Sequence, residues 1–274
     1  MTMSSKLLFS LMALLGCGTA ASATTLASHR ALYDLAVSKM SGNSGYSNIE
    51  GKLAYELKGS SCEGWAVSYR IANRYVEAEK GSRTLDTQLT TWESGDGLEM
   101  NLNQKQFVDN SLDSEERLVV KRPKAGQEAN GTMTMPKELE FKVLPEALFP
   151  STHQAHILEA AKQGLTRDVS LVFDGSDGEK MYKAITFIGK KRPPGTFVLD
   201  QSNPQTETLR SLPSWPMTVS YYPADDDQAA SPVYQASFNV YENGISTDLL
   251  MDYGNYVLKG TLTKLDLLKS APCP

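Results

Sequence analysis

The chain has 274 residues, 41% of them hydrophobic, with 27 Lys and Arg against 32 Asp and Glu for a formal net charge of -5. That acidic balance excludes a general nucleic-acid binder and a protein that adheres to anionic membranes, since both need clustered positive charge. The length suffices for one large core that needs no metal to hold it.

The N-terminus has the pattern of a cleavable export signal. One positive charge, Lys6, precedes an apolar run at 7–15, and small residues end in Ala21-Ser22-Ala23, an A-x-A site. Cleavage is expected between Ala23 and Thr24, leaving 24–274 as a single domain. Lys6 is the leader's only charge, so the remainder holds 26 basic and 32 acidic residues, a net of -6. A second reading stays open, because Leu14-Leu15-Gly16-Cys17 approaches a lipobox, which would put a lipid anchor on Cys17 and make 18–26 a tether. Beyond residue 23 no apolar run approaches the roughly 18 residues of a membrane span. Of the three cysteines, Cys62 and Cys273 lie outside the leader under either reading. In an oxidising compartment two such thiols are expected to pair, tying the start of the folded part to its end.

Alternation of apolar and polar residues then recurs along the chain. Read as a strand, the opening segment puts Ala27, His29, Ala31, Tyr33, Leu35 and Val37 on one face. Similar segments follow at 51–58, 65–79, 84–93, 98–104, 117–122, 131–135 and 139–143. Helix formers interrupt at 151–163, where a Ser151 or Thr152 cap, Ala155, Ile157, Leu158 and Ala161 as apolar positions, and Gly164 as a stop predict about three turns. This helix would seal an open end or face of the sheet. Segments 169–173 and 180–188 flank the turn Asp174-Gly175-Ser176-Asp177-Gly178, and 217–222 adds another strand. Residues 192–216, with five prolines, and 223–232, with three consecutive aspartates, read as long surface loops. Near the end Tyr234, Ala236, Phe238 and Val240 share a face, Asn243-Gly244 predicts a type I′ hairpin turn, and Ile245, Thr247, Leu249, Met251 and Tyr253 share the next. A turn at Gly254-Asn255 leads to a strand at 256–268, completing a three-stranded antiparallel meander. Many short strands with turns between them give an all-β fold, a barrel, sandwich or rolled sheet.

Chemical motifs are few. The chain has no G-x-S-x-G elbow, no H-E-x-x-H and no Walker phosphate loop. His153 and His156 lie three apart on the predicted helix, but no further zinc ligands stand beside them in sequence, and they read as helix-surface residues. Asp174 to Gly178 lacks the ligand series and terminal Glu of an EF-hand and reads as a turn, and Asp225-Asp226-Asp227 reads as a solvated loop. His29 reads as a partly buried histidine held by a carbonyl or carboxylate, and a bridged Cys62 has no free thiolate to act as nucleophile. No catalytic, cofactor-binding or metal residue is assigned. The aromatic residues of the strands serve a packed core or an apolar groove equally well.

Ala27-Ser28-His29-Arg30-Ala31-Leu32-Tyr33-Asp34-Leu35 resembles the opening of the EipB cell-envelope-integrity family of bacterial periplasmic proteins. The resemblance continues through Gly51-Lys52-Leu53-Ala54-Tyr55-Glu56, Cys62-Glu63-Gly64-Trp65, Leu148-Phe149-Pro150-Ser151-Thr152-His153, Phe173-Asp174-Gly175-Ser176-Asp177-Gly178 and Trp215-Pro216-Met217. The run from Tyr241 to Leu250, on to Gly260-Thr261-Leu262, completes it. It implies one many-stranded antiparallel sheet rolled into a spiral or open barrel with one helix near 151–163, and a family disulfide at positions matching Cys62 and Cys273. It also implies a periplasmic, stress-related role in envelope integrity, without an established catalytic activity. Two functions compete. One is a scaffold acting through periplasmic envelope proteins; the other is a carrier holding a lipid or other apolar envelope molecule within the curled sheet. Apolar strand faces do not separate them.

Overall fold

The computed structural model describes residues 26–42, 44–77, 81–196, 206–226, 228–270 and 273. The expected leader, Cys17 and the Ala23–Thr24 site lie outside the described residues. The first half of the chain supplies β1 (His29–Met40), β2 (Tyr46–Ser60), β3 (Gly64–Glu77), β4 (Gly81–Glu93), β5 (Glu99–Val108), β6 (Ser111–Lys121), β7 (Ala129–Met135) and β8 (Leu139–Val143). Helix α1 (Pro150–Lys162) follows, then β9 (Arg167–Val172), β10 (Tyr182–Ile188), the single turn α2 (Glu207–Arg210), β11 (Ser214–Pro223), β12 (Tyr234–Tyr241), β13 (Ser246–Asp252) and β14 (Tyr256–Leu267).

These strands form one antiparallel sheet in the order β8-β7-β6-β5-β4-β3-β2-β1-β14-β13-β12-β11-β10-β9. β1 sits at its middle, with His29 opposite Leu57 on one side and Leu267 on the other. The chain therefore runs outward to one edge, crosses through α1 to the other, and meanders back. The edges approach each other where Leu148 bridges Val172 in parallel, donating to the Leu171 carbonyl at 2.8 Å and accepting from Phe173 N–H at 3.0 Å. The sheet is thus a spiral, barrel-like without full closure.

Period-two alternation is the cause of the roll's inside and outside. In β1 the side chains of His29, Ala31, Tyr33 and Leu35 are buried while Arg30, Asp34 and Ala36 are exposed. The outer face carries cross-strand ion pairs such as Arg30 with Glu56, Lys52 with Asp34 at 2.5 Å, and Arg70 with Asp86 at 2.7 Å. Exposed pairs of this kind contribute no more than about 1 kcal/mol each, so the inner face holds the fold. There Leu57, Trp65, Val172, Ala184, Trp215 and Met217 enclose the buried side of α1. Phe149 and Phe173 fill the roll between β5 and β8. Gly131 lies under the Phe141 ring, which a Cβ at that position would strike.

The helix begins differently from the sequence expectation. Phe149 is the N-cap, Pro150 occupies the first turn, and neither Ser151 nor Thr152 caps the end. The cap comes from β4, as Glu93 accepts from the Ser151 N–H at 2.9 Å (Oε1) and 3.1 Å (Oε2). At the other end Gly164, with φ of 81°, donates to the Ala161 carbonyl while Leu165 donates to that of Ala160. This is the Schellman arrangement that glycine at that position favours.

Three further expectations are corrected. His153 is not on the helix surface but 4% exposed, because it shares the inward stripe with Ile157 and Ala161; His156 does face outward and bonds Asp168 at 2.9 Å. The 192–216 segment is more than a surface loop, since its α2 turn buries Leu209 completely. The Asn243-Gly244 turn is not type I′, since only Gly244 of the two has positive φ. Tyr241 N–H bonds the Ile245 carbonyl across a three-residue loop, and Asn243 Oδ1 accepts from Ile245 N–H at 3.2 Å. The two-residue turn with both φ positive lies instead at Asp109-Asn110, between β5 and β6.

Cys62 and Cys273 form a disulfide with Cα atoms 5.6 Å apart, spanning 211 positions of sequence. Among the described residues no helix is long and apolar enough to cross a membrane.

Candidate functional site

The sheet rolls around more space than its side chains fill. An inner cavity of about 300 Å³ lies against the first turns of α1. An outer one of about 510 Å³ opens beside it. Tyr55, Pro150, Gln154, Asp174 and Tyr221 border both, so the two adjoin across this girdle.

The inner cavity is walled by Leu53, Leu158, Val219, Phe238 and Val240, with His29, His153 and Gln154 as polar points. Each polar point is positioned by a specific contact or by burial. His29 Nδ1 donates to the Ala27 carbonyl at 2.7 Å, and its ring lies 5.4 Å from that of Tyr55. Burial lowers its pKa, the Ala27 bond opposing only in part. His153 Nε2 is buried without a hydrogen-bond partner among the described residues. Desolvation pushes its pKa down to about 4, against the attraction of Asp168. Both imidazoles are therefore neutral at pH 7. Gln154 Nε2 donates to the Gly244 carbonyl at 2.8 Å, tying the helix to the β12–β13 loop. Behind the girdle, the fully buried Glu93 has its pKa raised to about 6 by desolvation, against the Ser151 and Thr152 hydrogen bonds.

The outer cavity is aromatic. Tyr69 of β3, Tyr221 of β11, Tyr234 of β12 and Tyr253 after β13 converge there, with Tyr182 of β10 on its border. The ring of Tyr234 is 5.9 Å from Tyr221 and 5.1 Å from Tyr253. Burial pushes all four converging phenols up, that of Tyr253 to about 12, so they are neutral hydrogen-bonding groups. Among the described residues Asp174 is the one Asp or Glu bordering either cavity, and no Lys or Arg does so. Its Oδ1 accepts from the backbone N–H and hydroxyl of Ser176 at 3.0 and 2.9 Å.

Among the described residues no group of three or more His, Cys, Asp and Glu could hold a metal ion. The geometry can enclose an apolar body and hydrogen-bond it at a few points, the usual form of a small-molecule site. The tyrosines that build the outer cavity were visible in the sequence as strand aromatics, but their convergence from four distant segments was not.

Fold and interior define a class, the rolled single-sheet β protein with an enclosed, largely apolar interior. The chain belongs to the EipB-like family, whose model matches residues 20–269. It is 32% identical over 253 residues to the cell envelope integrity protein EipB of Brucella abortus strain 2308, covering 92% of this chain and 88% of the relative. The fold is that of a crystal structure of a β-barrel-like protein of a domain of unknown function from Brucella abortus. That likeness has a TM-score of 0.82 at 31% identity and covers 90% of this chain and all of the other.

Proposed function

We propose that this protein supports the integrity of the cell envelope and does so without catalysis, by holding the apolar part of an envelope molecule inside the rolled sheet. The observation that carries this reading is the pair of adjoining cavities of about 300 and 510 Å³, within the range of roughly 300–1,000 Å³ typical of small-molecule sites. The similarity to a cell envelope integrity protein supports the cellular setting. With it goes a periplasmic location, reached through removal of a 1–23 leader, with 24–274 folding as one domain. Native mass spectrometry of protein purified from its own envelope, with organic extraction, tests the reading. A co-purifying apolar molecule is expected; ligand-free protein that also fails to take up any added amphiphile would overturn it.

A scaffold acting through envelope proteins is the second reading, favoured by a separate feature. β9 is an edge strand, and Val169 on it and Phe187 on its neighbour β10 are 51% and 56% exposed, with Leu165 half exposed just before. Leu148 bridges this edge only at Val172, at the strand's end, and exposed apolar side chains beside the rest of an edge suit strand addition by a partner. Val169→Lys with Phe187→Lys should then abolish partner capture while leaving amphiphile uptake intact.

A further inference from the structure

The distribution of charge around the cavities narrows what they hold. We propose that the outer cavity receives a cationic ammonium head group, held between Asp174 and the rings of Tyr221, Tyr234 and Tyr253, while the attached apolar chain runs into the inner cavity past Leu158 and Phe238. This rests on the ligand-holding reading above and adds its chemical class.

The argument is one of what each head group would meet. An anionic phosphate or carboxylate would enter a space bordered, among the described residues, by one carboxylate and by no Lys or Arg. Neither histidine compensates, since burial keeps both neutral, and an unpaired anion taken from water into such a site is strongly disfavoured. An ammonium meets the opposite environment. Three tyrosine rings, Tyr234 lying 5.9 Å from Tyr221 and 5.1 Å from Tyr253, line this space, and aromatic rings attract a cation, an attraction that grows when the site is desolvated. Asp174 adds a countercharge at the girdle: its Oδ1 is engaged by Ser176, while Oδ2 accepts no hydrogen bond among the described residues. Further carboxylates stand beside Tyr182, on the border of the outer cavity. Asp177 accepts from the Tyr182 hydroxyl at 3.1 Å, and Asp225 acts on the same phenol. Lys180 pairs with Asp177 at 2.8 Å and offsets its charge, which leaves Asp225 as the carboxylate acting on that phenol without this pairing.

Calorimetric titration of the purified protein with ten-carbon amphiphiles, each below its micelle-forming concentration, tests this. Decyltrimethylammonium is expected to bind at least tenfold more tightly than decanoate, and at least tenfold more tightly than tetramethylammonium, which has the head without the chain. Asp174→Asn, which keeps an oxygen for Ser176, should shrink the preference over decanoate to less than threefold. Tyr234→Leu, which keeps the apolar volume and removes a ring, should shrink it too and serves if the first variant fails to fold. Asp34→Asn on the outer face, with the same change in net charge, should leave the preference intact. Decanoate binding as tightly as the ammonium, or a preference that survives both cavity variants, would overturn the ammonium assignment while leaving the ligand-holding reading standing. Tetramethylammonium binding as tightly as its ten-carbon relative would overturn the placement of the chain. Failure of every amphiphile, decyl glucoside included, would remove both.

Discussion

Glu93, at the end of β4, caps α1 across 58 residues of sequence, its two carboxylate oxygens 2.9 and 3.1 Å from the Ser151 amide nitrogen. The helix thereby gains at its positive end the anion that its own first turn lacks. Two residues further on, His153 is buried with an unpartnered ring nitrogen. One acid and one base, both desolvated, therefore stand at the helix end that borders the cavities.

Their effects on stability run in opposite directions with pH. Glu93 has a folded pKa raised to about 6 from 4.5, so between these values the native state binds more protons than the unfolded chain. Its contribution falls by about 2 kcal/mol as pH rises through that window. His153 has a folded pKa lowered to about 4 from 6.5, so there the unfolded chain binds more protons, and stability is lost by about 3 kcal/mol as pH falls from 6.5 to 4. Urea unfolding from pH 4 to 7 should show Glu93→Gln making stability rise more steeply with pH, and His153→Gln making it rise less or fall. Slopes that move the same way in both variants would refute the assignment.

How much of this was legible depends on the range of the interaction involved. Strand alternation is local, and it located most of the sheet; the faces read from His29 to Leu35 are those that the roll turns inward and outward, while Ser28, just before the strand, is buried against that alternation. The helix was equally legible from its formers and Gly164, which does terminate it. Its cap was not, because Glu93 is close only in the folded chain. The burial of His153 was written in its spacing, four before Ile157 and eight before Ala161, but a polar residue on an apolar stripe was assigned to the surface. Asn243-Gly244 was misread because a two-residue turn and a three-residue loop ending in left-handed Gly share the same dipeptide. The cavities were not legible at all, since Leu53, Val219 and Phe238 would alternate identically in a filled core.

Leu158 is fully buried between α1 and the inner wall of the sheet. Leu158→Asp would force a carboxylate into apolar contact and is expected to destabilise the protein by more than about 3 kcal/mol. Ala155→Asp, at a partly exposed position of the same helix, should cost about 1 kcal/mol, chiefly from lost helix propensity. Chemical denaturation of both variants checks the contrast. Equal losses would mean that α1 does not pack on the sheet by the side that buries Leu158.

The Cys62–Cys273 bridge closes β3 to β14 into one loop, at a sequence separation of 211, and leaves β1 and β2 outside it. By loop-closure entropy such a crosslink stabilises by at most about 5 kcal/mol, and by less where the unfolded chain retains structure. The packed clusters around α1, β1 and the β5–β8 wall do not include either cysteine, so the sheet should assemble without it. Cys62→Ser with Cys273→Ser is therefore expected to retain its far-UV β spectrum at room temperature while melting earlier and being cleaved faster by protease. The bridge joins the end of the chain, beyond β14, to the turn between β2 and β3, and β14 pairs with β1 at the sheet's centre. Early proteolytic cuts in the variant should accordingly fall in the C-terminal segment after β14. Unfolding of the whole sheet at room temperature would show instead that the buried clusters cannot hold the roll unaided.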